Sequence, residues 1–179
     1  MAERESQIVL GLDPDPAGLW PGSGPESSEG SAAERAGEAV LGHCRALIDA
    51  TAEACVAVKL QLACFERLGV PGWGALEAVA AHARARGLLV IADGKRGDIS
   101  VSAAAYAQAL LSSTDTPFGA VQGLGADLVT VNPLMGADTI EPFVSAARDT
   151  GGGVLVLVRT SNPGAADIED LELAGGGAL

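Results

Sequence analysis

Aromatic side chains are scarce in this chain, 3 % of 179 residues, so a core large enough for one domain has to be built from Ala, Val and Leu. Cations are scarce too: 11 Lys and Arg stand against 23 Asp and Glu, a formal net charge of −12. That balance argues against a nucleic-acid partner or an anionic membrane surface, and any anionic substrate needs a local cluster of cations. Cysteine is limited to Cys44, Cys55 and Cys64, with no CxxC pair and no zinc spacing. Buried free thiols in a reducing cytosol are the expectation. No apolar run approaches the ~20 residues of a membrane helix. The polar start, Met1 to Glu5, lacks a signal-peptide core, which points to a soluble cytoplasmic protein. His43 and His82 fall on predicted helices as packing or solvated residues. Neither a Ser-His-Asp order nor a metal-binding His pair is visible, and no metal site is expected.

What the chain does have is the stretch Val90-Ile91-Ala92-Asp93-Gly94-Lys95-Arg96-Gly97-Asp98-Ile99. The apolar run Leu88 to Ala92 reads as a buried parallel strand that ends in four charged residues and two glycines. Alternation puts Asp93 and Lys95 on the side of Leu89 and Ile91. Gly94 and Gly97 allow a turn that can bring Asp98 back toward the lysine. A lysine between two carboxylates at a strand exit has either a task or a purely structural ion pair, and the spacing alone does not choose.

The remaining chain alternates strand and helix. Ile8 to Leu12 reads as a strand stopped after Asp13 by Pro14, and residues 17–30 as a Gly, Pro and Ser-rich loop. Ser31-Ala32-Ala33-Glu34 is a capping box opening a helix with Val40, Cys44, Leu47, Ile48 and Thr51 on one face. Cys55 to Val58 is the second strand, ending at Lys59. A short helix follows from Gln61 to Leu68, then a loop at Pro71-Gly72, then a helix closed by Gly87. Ser100 to Leu111 is helical and residues 112–125 read as a long polar connection. Leu128 to Val131 and Val154 to Val158 are further strands, with a helix from Thr139 to Arg148 between them. Arg159 suits an anion site or a surface ion pair equally. Residues 165–179 form an acidic, Gly-rich tail, in which the acidic run Asp167–Glu172 reads as solvated surface.

This alternation implies an α/β fold, a parallel sheet with helices packed outside. Each strand ends in a polar residue, Asp13, Lys59, Asp93, Asn132 or Ser161, and in a (β/α)8 barrel those ends line the active-site face. An open doubly wound sheet competes, but no G-x-G-x-x-G follows the first strand and no phosphate loop is present. A closed barrel needs eight strands and typically ~250 residues. About five β/α units are visible, so residues 1–179 are expected to form a single, partial barrel domain.

With these residues assembled, the chain resembles orotidine 5′-phosphate decarboxylase in the form found in actinobacteria and some other bacteria. The matching stretches are Gly11-Leu12-Asp13-Pro14, the run from Val58 to Glu66, Asp93-Gly94-Lys95-Arg96-Gly97-Asp98-Ile99, Thr130-Val131-Asn132-Pro133 and the run from Arg159 to Gly164. They follow the family's order, one at each strand end, and Asp-x-Lys-x-x-Asp is the most specific of them. The resemblance implies removal of the carboxylate from C6 of orotidine 5′-monophosphate to give UMP in pyrimidine biosynthesis, without metal or organic cofactor. By the same resemblance, Lys95 is the ammonium that protonates C6 and Asp93 faces the substrate carboxylate. Lys59 contacts Asp93 and the ribose, and Asp98 reaches across a homodimer interface into the neighbouring site. Asp13 accepts from a ribose hydroxyl, Ser161 bonds the pyrimidine, and Ser102 stands where the family often has a threonine near the neighbouring ligand.

The residue types suit that chemistry. Loss of carbon dioxide from C6 leaves a localised lone pair, so stabilisation has to come from fixed charges. A lysine flanked by carboxylates keeps its proton and serves both as cation and as acid. Asp93 beside the departing carboxylate would repel the ground state, though differential stabilisation of the transition state is the broader statement. Nothing in the sequence matches the arginine and glutamine loops with which the family grips phosphate, and remote phosphate binding helps drive the chemical step. The chain is therefore expected to be a truncated product or fragment, weakly active or inactive alone, whose open sheet leaves edges unpaired. Two other readings use the same residues: a metal-dependent sugar-phosphate aldolase or synthase on the same barrel, and a non-catalytic remnant that binds a nucleotide or partner.

Overall fold

The apolar run stopped by Pro14 forms β1 (Ile8–Leu12), and in this computed structural model residues 5–25, 28–172 and 175 are described. Ser31 then starts α1 (Ala32–Thr51) through the reciprocal pair read from the sequence: its hydroxyl accepts from the Glu34 amide, and the Glu34 carboxylate accepts from the Ser31 amide at 2.7 Å. Such a cap is worth about 1 kcal/mol. The buried stripe of α1 is Val40, Cys44 and Ile48. β2 (Cys55–Gln61) runs two residues past Lys59, further than expected, because it stays paired to its neighbour up to Asp93. A short α2 (Leu62–Glu66) follows.

The next helix corrects the sequence reading. Pro71 and Gly72, read as the start of a loop, lie in the first turn of α3 (Val70–Ala85). Proline fits there because its missing N–H would have no intrahelical partner anyway. Gly72 fits because α3 crosses the end of α2 closely: a β-carbon at this position would lie 1.9 Å from the Phe65 carbonyl oxygen. β3 (Leu89–Arg96) leads into α4 (Ser100–Leu111). The supposed polar connection of residues 112–125 holds an antiparallel hairpin, β4 (Ser113–Thr116) and β5 (Gly119–Gln122). Its eight residues bury no face, so no alternation announced it. β6 (Leu128–Val131), α5 (Ala137–Thr150), β7 (Gly153–Val156) and a single 3-10 turn (Pro163–Asp167) complete the order.

The main sheet runs β1-β2-β3-β6-β7, every pair parallel, with the helices between successive strands. The fold is thus α/β, with four β/α units and a fifth strand among the described residues, arranged in the order of a (β/α)8 barrel wall. Its principal core lies between sheet and helices, where Leu60, Val90 and Val129 meet Leu76, Val79 and Phe143. The opposite sheet face carries a small cluster of Val56, Ala57 and Ile91, with Leu128 against it. Among the described residues, the sheet ladder gives β1 and β7 a neighbour on one side only, and Ile8, Val9, Leu155 and Val156 remain between 42 % and 58 % exposed.

Residues 17–30 hold no helix or strand among those described. The acidic run is mostly exposed, as expected, and makes surface contacts: Asp170 takes the Arg159 guanidinium through both oxygens, at 2.7 and 2.8 Å, and Glu169 accepts from the Thr160 amide at 2.7 Å. That places Arg159 in an ion pair. Residues 1–4 of the polar start, and 173–174 and 176–179 of the Gly-rich tail, lie outside the described residues. No helix among the described residues is long and apolar enough to cross a membrane.

Candidate active site

The site grows out of an irregularity in β3. Ala92 pairs with Val129 and Arg96 with Val131, so four steps along β3 match two along β6. The two extra residues form a bulge, which frees ladder groups and re-aims side chains. Lys95 stands in the bulge at φ 47°, a left-handed conformation rare for a residue with a β-carbon. Gly94 precedes it where a β-carbon would come within 2.7 Å of Leu62 Cδ1. Arg96 closes the bulge. Its guanidinium donates to Glu66 on α2 and lies 5.2 Å from the ring centre of Tyr106 on α4.

Alternation puts Asp93 and Lys95 on one side, and they do meet there, although the strand runs on through Arg96 with a bulge where a turn at Gly94 is expected. Lys95 Nζ donates to Asp93 Oδ1 at 2.7 Å. Lys59, from β2, donates to Asp93 Oδ2 at 3.0 Å, and Gln61 Nε2 lies 3.4 Å from the same oxygen. Lys59 Nζ also lies 3.5 Å from Asp13 Oδ1, at the end of β1. Three neighbouring strand ends therefore supply an acid-amine-acid-amine row, Asp13, Lys59, Asp93 and Lys95.

Burial orders this row. Asp93 is 5 % exposed, whereas Lys95 and Asp13 keep much of their side chains in solvent. A buried carboxylate costs several kcal/mol unless it is paired and hydrogen-bonded. Burial pushes the Asp93 carboxyl up, but hydrogen bonds from Lys95, Lys59 and Thr130 and the charge of Lys59 outweigh it, leaving the group below the ordinary carboxylate value. Burial likewise pulls Lys59 down, and Asp93 and Asp13 overcome this to hold the amine above its ordinary value.

The other sequence-predicted residues are not drawn into the row within one chain. Asp98 Oδ1 accepts from the Ile99 amide at 2.8 Å, just ahead of α4, and no ion pair joins it to Lys95. Lys59, rather than Lys95, is the amine between two carboxylates. Ser102 is exposed in the first turn of α4, its amide donating to the Ile99 carbonyl at 3.1 Å. Ser161 is exposed after β7. A cavity of about 650 Å³ opens beside it, lined by Asn132, Leu134, Val158, Thr160, Asn162 and Ile168 among others, and none of the four charged groups lines it.

Two contributors went unnoticed at the level of sequence. The sequence suggests a helix start at Gln61, yet its register opposite Asp93 brings its amide to that carboxylate. Thr130 sat in a recognised stretch, but its type gave no signal; its hydroxyl donates to Asp93 Oδ1 at 2.8 Å. Among the described residues, no group of three or more His, Cys, Asp or Glu side chains is placed to hold a metal ion.

Chemically, the row offers a fixed ammonium beside a buried carboxylate that stays ionised, at the mouth of a parallel sheet. The family model described as orotidine 5′-phosphate decarboxylase / HUMPS matches residues 6–176. A curated relative from Deinococcus radiodurans named orotidine 5′-phosphate decarboxylase is 49 % identical over 123 residues, 69 % of this chain and 42 % of its own length. One of the same name from Haloarcula marismortui is 40 % identical over 179 residues, 100 % of this chain and 56 % of its own length. The solved structure of Leishmania donovani OMP decarboxylase aligns with TM-score 0.70 and 31 % identity, over 97 % of this chain and 57 % of that one. Leishmania donovani UMP synthase gives TM-score 0.71 and 32 % identity, over 98 % and 32 %. The chain thus spans about half the length of the curated relatives it matches. With sequence match and fold in agreement along nearly its whole length, the chain belongs to the orotidine 5′-phosphate decarboxylase family.

Proposed function

We propose that this chain carries the charged machinery for decarboxylating orotidine 5′-monophosphate to UMP. The observation that supports this most is Asp93: one buried carboxylate, one ammonium on each oxygen, at adjacent strand ends. In this reading Asp93 abuts the substrate carboxylate, and the C6–carboxylate bond breaks with its electron pair left on C6. Lys95 then delivers a proton to that carbon. Negative charge appearing at C6 is met by an ammonium already in place, so little reorganisation is needed in the transition state. Lys59 keeps Asp93 ionised and, with Asp13, reaches the ribose hydroxyls. Ser161 bonds the pyrimidine. Asp98 and Ser102 serve the site of a second copy in a homodimer, which accords with Asp98 making no ion pair to its own Lys95. The reaction needs no cofactor, and the protein works in the cytoplasm. A metal-dependent aldolase is less well supported, because the most buried acid of the site is already neutralised by two ammonium groups.

Titration of the 15N-labelled chain with UMP tests the assignment. The expected result is saturable shifts of the Lys59, Asp93 and Lys95 amides, weakened when UMP is added at the same concentration to Lys95→Ala. Shifts confined to the cavity beside Ser161, or no shifts at all, would overturn it.

A further inference from the structure

We propose that Thr130 is a positioning residue of this site, holding Asp93 and Lys95 in register through a hydroxyl that serves both. The observation begins with the bulge. Because β3 inserts two residues against β6, the Lys95 N–H cannot join the regular ladder. It donates instead to Thr130 Oγ1 at 2.9 Å. The same hydroxyl donates its own proton to Asp93 Oδ1 at 2.8 Å, the oxygen that also takes Lys95 Nζ. A hydroxyl has one proton and two lone pairs, so it can accept from a backbone amide while donating to a carboxylate. Thr130 thus closes a ring of three hydrogen bonds: Lys95 amide to hydroxyl, hydroxyl to Asp93, and Lys95 ammonium to Asp93.

Each link has a physical consequence. The bond to the amide satisfies a donor that the bulge would otherwise strand, and it anchors Lys95 at its left-handed φ of 47°. The bond to Asp93 fixes the carboxylate's rotamer and supports its ionised form against burial. Thr130 is only 8 % exposed, so water cannot readily replace the hydroxyl. Valine has the same shape and neither bond. The charged groups facing Asp93 are Lys59 from β2 and Lys95 from β3, with Asp13 behind Lys59. Thr130 and Gln61 are the neutral members of that surround, and Thr130 acts through the charged groups rather than on substrate.

Three forms of the 179-residue chain decide the matter: unaltered, Thr130→Val and Thr130→Ser. The first readout is the 13Cγ titration of Asp93, which does not depend on turnover. A hydrogen bond to a charged group corresponds to an upward shift of about one pH unit or more when lost. Thr130→Val is expected to show that shift and Thr130→Ser to restore the original midpoint. An unchanged midpoint in Thr130→Val, or a serine variant that behaves like valine, would overturn the proposal. The second readout is decarboxylation, and here the inference rests on the functional reading above. Thr130→Val should lower kcat about tenfold or more while KM moves less than about threefold, with serine near the original value. If the unaltered chain turns over above the buffer rate and Lys95→Ala leaves that turnover unchanged, the decarboxylase reading fails; with or without turnover, the Asp93 titration decides the role of Thr130. Should Thr130→Val not fold, hydrogen exchange of the Lys95 amide in the unaltered chain decides: protection supports the ring, and exchange at the unprotected rate refutes it.

Discussion

Lys59 Nζ lies 3.0 Å from Asp93 Oδ2 and 3.5 Å from Asp13 Oδ1, which makes it the amine that bridges two strand ends of opposite burial. The Asp93 carboxyl is held below its ordinary value, so its contribution to stability is present above that value and is lost as pH falls through the lowered one. The Lys59 amine is held above its ordinary value of 10.5, so its contribution is full below that point and is lost as pH rises through the raised one. Lys59→Met leaves Asp93 with a single cation. The variant should lose about 1–2 kcal/mol at neutral pH and unfold in acid at a higher pH than the unaltered chain, read by circular dichroism.

Gly72 is needed for the contact between α2 and α3. A β-carbon there would overlap the Phe65 carbonyl oxygen, which is backbone and cannot swing aside. Gly72→Ala should therefore lower unfolding free energy by about 1–3 kcal/mol despite alanine's better helix propensity, with an unchanged urea m-value. Gly74, two residues on, meets nothing within 4 Å, so Gly74→Ala should be neutral or stabilising.

The fate of this glycine shows what the sequence did and did not reveal. The five strands of the main sheet were legible, because an apolar run stopped by Pro14, or by the Asp93-Gly94-Lys95 cluster, is a local signal, although β7 stops at Val156, short of both Val158 and Ser161. The placement of Pro71-Gly72 in a helix was not, since a proline opens a helix or a loop equally well until the neighbouring helix is known. The hairpin from Ser113 to Gln122 buries no face and left no pattern. The β3 bulge was hidden for another reason. It exists only against β6, so neither the left-handed Lys95 nor its capture by Thr130 is written in the residues of β3.

Cys44 and Cys64 should differ sharply in reactivity. Burial pushes the Cys44 thiol up to about 12, with a smaller contribution from Cys64. Thiolate, not thiol, is the nucleophile, so Cys44 in the folded chain should stay unmodified by iodoacetamide at pH 8. Cys64 is only half-buried, and its thiol, raised mainly by burial, should react slowly but measurably. Peptide mass spectrometry before and after urea unfolding would separate the two, with Cys44 becoming reactive only once unfolded.

The release of labelled carbon dioxide from orotidine 5′-monophosphate, compared between this chain and Lys95→Ala, tests the central claim most directly. A positioned acid contributes about 10²-fold or more, so the weak release above the buffer rate expected of the unaltered chain should fall by at least that factor in the variant. Equal release from the two proteins above the buffer rate would contradict the account.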